Sequence, residues 1–166
     1  MEFYRSFYRL LLLLLCIILM PGCKNSEGKR KVDLAEEEKA LFLSHVKDRQ
    51  AHFDRDAEAL LVNSVDSFIY VRDGKVSTSL KADRIKGMSN VLKDAEYIKW
   101  DNMESPVIRI SDDGSMAWVI TRLEVERMKK DSTGKQNRER FVYAGIMTYK
   151  KLEDQWVKEA NVSTFE

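Results

Sequence analysis

Met116-Ala117-Trp118-Val119-Ile120-Thr121-Arg122-Leu123-Glu124-Val125-Glu126-Arg127-Met128 is the run on which the fold turns. Apolar, β-branched and charged residues alternate along it with a period of two, which a strand can use and a helix cannot. One face carries Trp118, Ile120, Arg122, Glu124 and Glu126, the other Ala117, Val119, Thr121, Leu123 and Val125. Working outward, strand chemistry continues on both sides, at 96–102 and 107–111 before it and at 139–151 and 155–164 after it. Asp112-Asp113-Gly114-Ser115, Asp131-Ser132-Thr133-Gly134 and Glu153-Asp154 supply the reversals. Pro106 predicts a break between the first two strands.

Upstream the period changes. Residues 34–53 place Leu34, Leu41, Phe42, Val46 and Phe53 at helical spacing, with His45 and His52 on or beside the same stripe. Asp56 is placed to cap a second, short helix at 57–63. Residues 67–72 and 75–78 then read as a hairpin closed by Asp73-Gly74. Ser79 follows as the expected cap of a third helix carrying Leu80, Ile85, Met88, Val91 and Leu92. Helices early and a long antiparallel meander afterwards predict an α+β domain, three N-terminal helices packed on one face of a strongly curved, mainly antiparallel sheet.

Ahead of this domain lies a leader. Arg5 and Arg9 precede an apolar run from Leu10 to Met20, followed by Pro21-Gly22-Cys23 and a polar stretch to Lys31. A bilayer span needs about 17 to 25 apolar residues, so the run is short for a permanent anchor and fits an export signal. Gly22-Cys23 resembles the bacterial lipobox, whereas Met20 and Pro21 depart from its usual residues. The resemblance implies cleavage before Cys23 and lipid on its thiol, with more than one acyl chain for stable attachment. The expected organisation is a signal peptide at 1–22, a polar tether at 23–32 and a folded domain at 33–166. It places the protein in the cell envelope, held to the membrane by its N-terminal lipid and facing the periplasm or the exterior.

Composition narrows the domain's function. The chain has 166 residues, enough beyond the leader for one core. Its only cysteines are Cys16 and Cys23, so the mature domain has neither a disulfide nor a catalytic thiol. Removing Glu2, Arg5 and Arg9 with the leader leaves 26 basic against 26 acidic residues. A balanced domain lacks the cationic excess that draws a protein to nucleic acid, and no nucleic-acid partner is expected. No Gly-rich phosphate loop and no Gly-x-Ser-x-Gly elbow occurs. Asn161-Val162-Ser163 matches a glycosylation sequon but reads as strand.

The run 51–61 (Ala-His-Phe-Asp-Arg-Asp-Ala-Glu-Ala-Leu-Leu), Phe68-Ile69-Tyr70-Val71, Trp100, Ile110 through Trp118 and Trp156-Val157-Lys158, in this order, resemble the nuclear transport factor 2-like superfamily, SnoaL-like branch. The likeness runs from about residue 33 to the end. It implies a cone, with a bent sheet closed by helices around a cavity. That superfamily holds isomerases, dehydratases, hydrolases and cyclases beside members that only bind or dimerise, so function must be read from the pocket.

Carbon-acid isomerases of the superfamily need a carboxylate where the first strand ends, plus a tyrosine and a protonated acid as donors to meet the enolate charge. This strand ends Tyr70-Val71-Arg72, and Tyr143-Ala144-Gly145-Ile146-Met147 supplies no acid, which disfavours that chemistry. His52 is the candidate general base of a lyase, isomerase or hydrolase, with His45 two turns earlier and Asp48 or Asp56 to orient it. A histidine on a helix's inner stripe is more commonly a core residue with one satisfied nitrogen. The two histidines stand seven residues apart, a poor helical metal pair, and no metal or other cofactor is expected. His45, Tyr70, Trp100, Arg122, Glu124 and Tyr143 are the expected pocket residues. Arg122 and Glu124 belong to it only if their face of the strand turns inward; outward, the same face is a wet surface or the seam of a homodimer. The expected function is a small-molecule binding or protein interaction module. An enzyme using His52 and a structural envelope protein with a filled cavity are the alternatives.

Overall fold

The computed structural model describes residues Val32–Glu166; Cys23 and the leader lie outside the described residues. The elements run α1 (Leu34–Asp54), α2 (Ala57–Leu61), β1 (Ser64–Arg72), β2 (Lys75–Leu80), α3 (Lys81–Lys93), β3 (Ala95–Asn102), β4 (Val107–Ile110), β5 (Met116–Lys130), β6 (Gln136–Leu152) and β7 (Gln155–Phe165). They form one α+β unit. Two helices precede the sheet and the third follows its first hairpin, so the helices are not all N-terminal to it.

Local chemistry accounts for the boundaries. Asp33 caps α1 by accepting from the amides of Ala35 and Glu36, and Glu36 and Glu37 sit in its positive first turn. Asp56 caps α2 through the amide of Ala59 at 2.8 Å. The expected Ser79 cap is displaced: Ser79 pairs with Phe68 inside the hairpin, and α3 starts after Leu80 without a side-chain cap. Gly114 closes the β4–β5 turn at φ +67, where its missing Cβ also makes room for Val32.

The sheet order is β2-β1-β7-β6-β5-β3, with β4 pairing β5 beside β3. β1 and β7 are parallel, and every other pair is antiparallel. β3 and β4 share one edge of β5 and are separated around Pro106, as its missing N–H requires. Besides the register shift between Ser64 and Ile69 where β1 meets β7, two single-residue irregularities shape the concave face. Ile98 is an extra residue in β3, between the pairs Tyr97–Arg127 and Lys99–Glu126. Glu159 is extra in β7, because Lys158 pairs with Tyr149 while Ala160 pairs with Thr148. An extra residue reverses the inward and outward alternation beyond it. Lys158 and Asn161 are thereby both buried, although three residues apart in one strand.

Two apolar clusters hold the helices to the sheet. One joins Ala51, Ala57, Leu60, Leu61 and Leu92 to Ala95, Tyr97, Leu123 and Val125; the other joins Leu41 to Ile108, Ala117, Val119, Tyr149 and Trp156.

The face that α1 turns to the sheet differs from the expected stripe. Leu34, Phe42 and Val46 are exposed, and Leu41 is the only member of that stripe fully buried. Inward stand Glu37, Leu41, Ser44, His45, Asp48, Ala51 and His52, a mostly polar series at helical spacing. The sheet offers those polar groups partners. Glu37 accepts from Lys151 and from the Trp156 indole at 2.8 Å, Ser44 bonds Tyr149, and Asp48 pairs with Lys158. Hydrogen bonds across the layer thus replace part of the apolar contact that a helix face usually provides.

Candidate functional site

Between the two clusters lies a cavity of about 220 Å³. His45, Asp48 and His52 reach it from α1, and Ser64, Phe68 and Tyr70 from β1. β6 contributes Tyr143, Met147 and Tyr149, and β7 contributes Lys158 and Asn161. Leu60, Leu61, Met88, Trp100, Val119 and Leu123 complete an apolar wall. Polar groups thus converge in an otherwise apolar hollow, the usual composition of a small-molecule site.

Five of the seven pocket and catalytic residues expected from sequence meet here: His45, His52, Tyr70, Trp100 and Tyr143. Arg122 and Glu124 do not. On β5 the buried positions are Ala117, Val119, Leu123 and Val125, so the opposite parity faces away from the helices. Arg122 lines a groove on that outer face with Val107, Ile120, Ile146 and Val162, and Glu124 is held there by Lys99 and Arg140. Arg72, at the end of β1, also lies outside the cavity, paired with Asp73 at 3.3 Å and 4.2 Å over the Phe165 ring.

His52 is fixed on two sides. Its Nδ1 lies 2.7 Å from the Asp48 carbonyl oxygen, a bond in which the ring must donate. That assigns the proton to Nδ1 and leaves Nε2 as an acceptor. Trp100 stacks on the ring at 3.8 Å and Tyr97 meets it edge-on at 5.4 Å. Burial pulls the His52 pKa down to about 4, so the imidazole is neutral at neutral pH. His45 is also lowered by burial, against its bond to the Asn102 amide oxygen at 3.0 Å. Neither Asp48 nor Asp56 orients His52 through its carboxylate: Asp48 serves through its backbone, and Asp56 caps α2.

Sequence reading missed several site residues, Lys158, Asn161, Ser64 and Tyr149 among them. Lys158 is 5% exposed, and its ammonium pairs with the Asp48 carboxylate and lies 3.0 Å from the Leu60 carbonyl. Burial raises the Asp48 pKa while Lys158 opposes the rise. Asn161 donates to the Tyr143 hydroxyl at 2.8 Å, and burial raises the Tyr143 pKa as well. Strand alternation is the signal that could have placed the lysine inward with Trp156. The parity change at Glu159, which brings in Asn161, has no local sequence signal.

Solved structures share this architecture. An NTF2-like protein from Cytophaga hutchinsonii superposes with a TM-score of 0.58 at 18% identity, covering 76% of this chain and 96% of its own. A ketosteroid isomerase-like protein from Erwinia carotovora atroseptica gives 0.57 at 13% identity, covering 77% and 95%. An NTF2-like protein with a cystatin-like fold from Novosphingobium aromaticivorans gives 0.55 at 15%, covering 78% and 82%. The fold is NTF2-like. No family model and no curated protein matches the sequence. At these identities the likeness is one of fold, and the NTF2-like cone leaves chemistry to the residues lining it.

Proposed function

We propose that this protein is a small-molecule binding domain of SnoaL-like type, held to the cell envelope by lipid on Cys23. The observation that carries the binding reading is the cavity itself, an unfilled hollow in which Asp48, His52, Tyr70, Tyr143, Lys158 and Asn161 converge on apolar walls. A structural protein would be expected to fill that space with side chains, since interiors pack to crystal density. Binding is favoured over acid–base catalysis because burial holds His52 far below the range in which a base works best at neutral pH. Its fixed tautomer suits it to accept a ligand hydrogen bond. The leader sequence supports the anchor, and the exposed Trp118, Ile120, Ile146 and Val162 on the outer sheet face support pairing of two copies.

A melting-shift screen of the full chain against small metabolites tests the reading, since a ligand that binds only the native state raises its stability. The expected result is a concentration-dependent rise for one chemical class, lost on Tyr143→Phe or Asn161→Leu. A folded protein that no compound shifts argues against a ligand site. Mass spectrometry of the membrane fraction tests the anchor: an N-terminal acylated Cys23 is expected, and an intact leader or cleavage elsewhere contradicts it.

A further inference from the structure

We propose that the cavity accepts a small organic anion, a carboxylate of one-ring size, whose charge is complemented by Arg84 from behind the wall made by Ser64 and Phe68. The inference rests on the cavity being a ligand site.

Arg84 is a buried cation with no anionic partner. It is 6% exposed, and no carboxylate among the described residues lies within ion-pair distance. Its bonds go to neutral acceptors: the Ser64 hydroxyl at 2.8 Å, the Val65 carbonyl at 2.7 Å and the Ser79 carbonyl at 3.3 Å. Nε has no hydrogen-bond partner among the described residues. The other buried cation, Lys158, has Asp48, and the half-buried Arg127 has Glu139. An ionised group removed from water without a counter-charge is costly, and such a site gains when an anion arrives.

The position of that charge relative to the cavity follows from its contacts. Both Ser64 and Phe68 line the cavity, and the Arg84 guanidinium carbon lies 4.6 Å from the Phe68 ring centroid. Ser64 gives its own proton to the Leu61 carbonyl at 2.7 Å, so its oxygen accepts from Arg84. The guanidinium is therefore one side chain away from any occupant. Asp66, the acid that acts on Arg84 through space, is exposed on β1 and screened by water. Within the cavity Lys158 and Asp48 offset each other, and burial disfavours charge on both histidines. The lining and its backing thus carry one excess positive charge.

Direct donors stand on the same side. The Tyr143 hydroxyl accepts from Asn161, which leaves its proton to give, and burial raises the Tyr70 pKa against the opposing pull of the Arg84 charge, so Tyr70 also keeps its proton. A cavity of about 150 Å³ holds benzene, so about 220 Å³ suits one ring with a short acidic substituent. Arg84 acts as a positioning residue, through Ser64 and through its field.

The test uses matched acid and amide pairs on the full chain: benzoate against benzamide, and phenylacetate against phenylacetamide, by titration calorimetry. At least a tenfold preference for the acids is expected. Arg84→Gln should lower acid affinity about tenfold and leave the amides unchanged, while Arg84→Lys restores most of the preference. Amides binding as tightly as acids to the native protein overturns the inference and leaves the ligand-site reading standing. An equal loss for acids and amides in Arg84→Gln also overturns it, because it assigns Arg84 to the fold alone. Failure of all four probes counts against both readings. The native preference decides even if the variants do not fold.

Discussion

At Gly145 the concave sheet face has no room for a methyl group. A Cβ there would press on the Tyr143 ring, 2.6 Å from its Cζ, because that side chain folds back along β6 to meet Asn161. Gly145→Ala should therefore push the Tyr143 hydroxyl off Asn161 and lower stability by about 1–3 kcal/mol, the usual range for an overfilled site, readable in a urea melt. His52 makes a prediction with a sign. Its folded pKa of about 4 lies below its ordinary value of 6.5, so between those pH values the unfolded chain binds a proton that the folded one refuses. Stability must then fall as pH drops from about 6.5 toward about 4 and flatten below, with a slope of at most about 1.4 kcal/mol per pH unit from this group. His52→Gln should remove that part of the slope, and Trp100 fluorescence, reporting from the stacked ring, follows the same titration in the native protein. The Asp48–Lys158 pair behaves differently. Asp48→Asn leaves the ammonium buried without its partner and should cost about 2–4 kcal/mol by chemical denaturation, whereas Asp48→Leu with Lys158→Met should recover most of it.

Among the elements, α1 shows what sequence could and could not tell. Its existence, its end near Asp54 and the strands after it were legible, because caps, turns and a period of two are local signals. Which side it buries was not. Hydropathy selects Leu34, Phe42 and Val46, but the sheet presents Lys151, Trp156, Tyr149 and Lys158, so Glu37, Ser44 and Asp48 turn inward. Partners a hundred residues away decided the face. His45, His52, Tyr70 and Tyr143 were found by chemistry and Tyr149 was not, whereas the side on which Arg122 and Glu124 stand stayed open because alternation defines two faces without saying which is inside. Arg84 was invisible for a related reason: its burial comes from α3 settling against β1, which no pattern within α3 announces. The β7 bulge gives the prediction at this scale. Deleting Glu159 should restore unbroken alternation, turn either Lys158 or Asn161 away from the cavity and abolish ligand binding, with the loss of the Asn161–Tyr143 bond visible as a shifted Tyr143 hydroxyl signal in NMR.

For the molecule as a whole, the cavity is the gap between two cores that share one sheet. Leu123 and Val125 anchor one and Ala117 and Val119 the other, with Thr121 of the same strand crossing the hollow between them. A cavity built this way need not be stabilised by its occupant, so the empty protein should melt in one cooperative step and ligand should raise the midpoint without changing the urea slope. The extra residue at Glu159 carries a longer-range implication. It divides β7 into two segments that keep separate count: the first sets Trp156 and Lys158 against the helix, and the second sets Asn161 against the tyrosine. Mutational drift in the second segment can therefore retune what the hollow admits while the first goes on clamping the helix. Descendants of this chain have a route to new ligands that does not pass through unfolding.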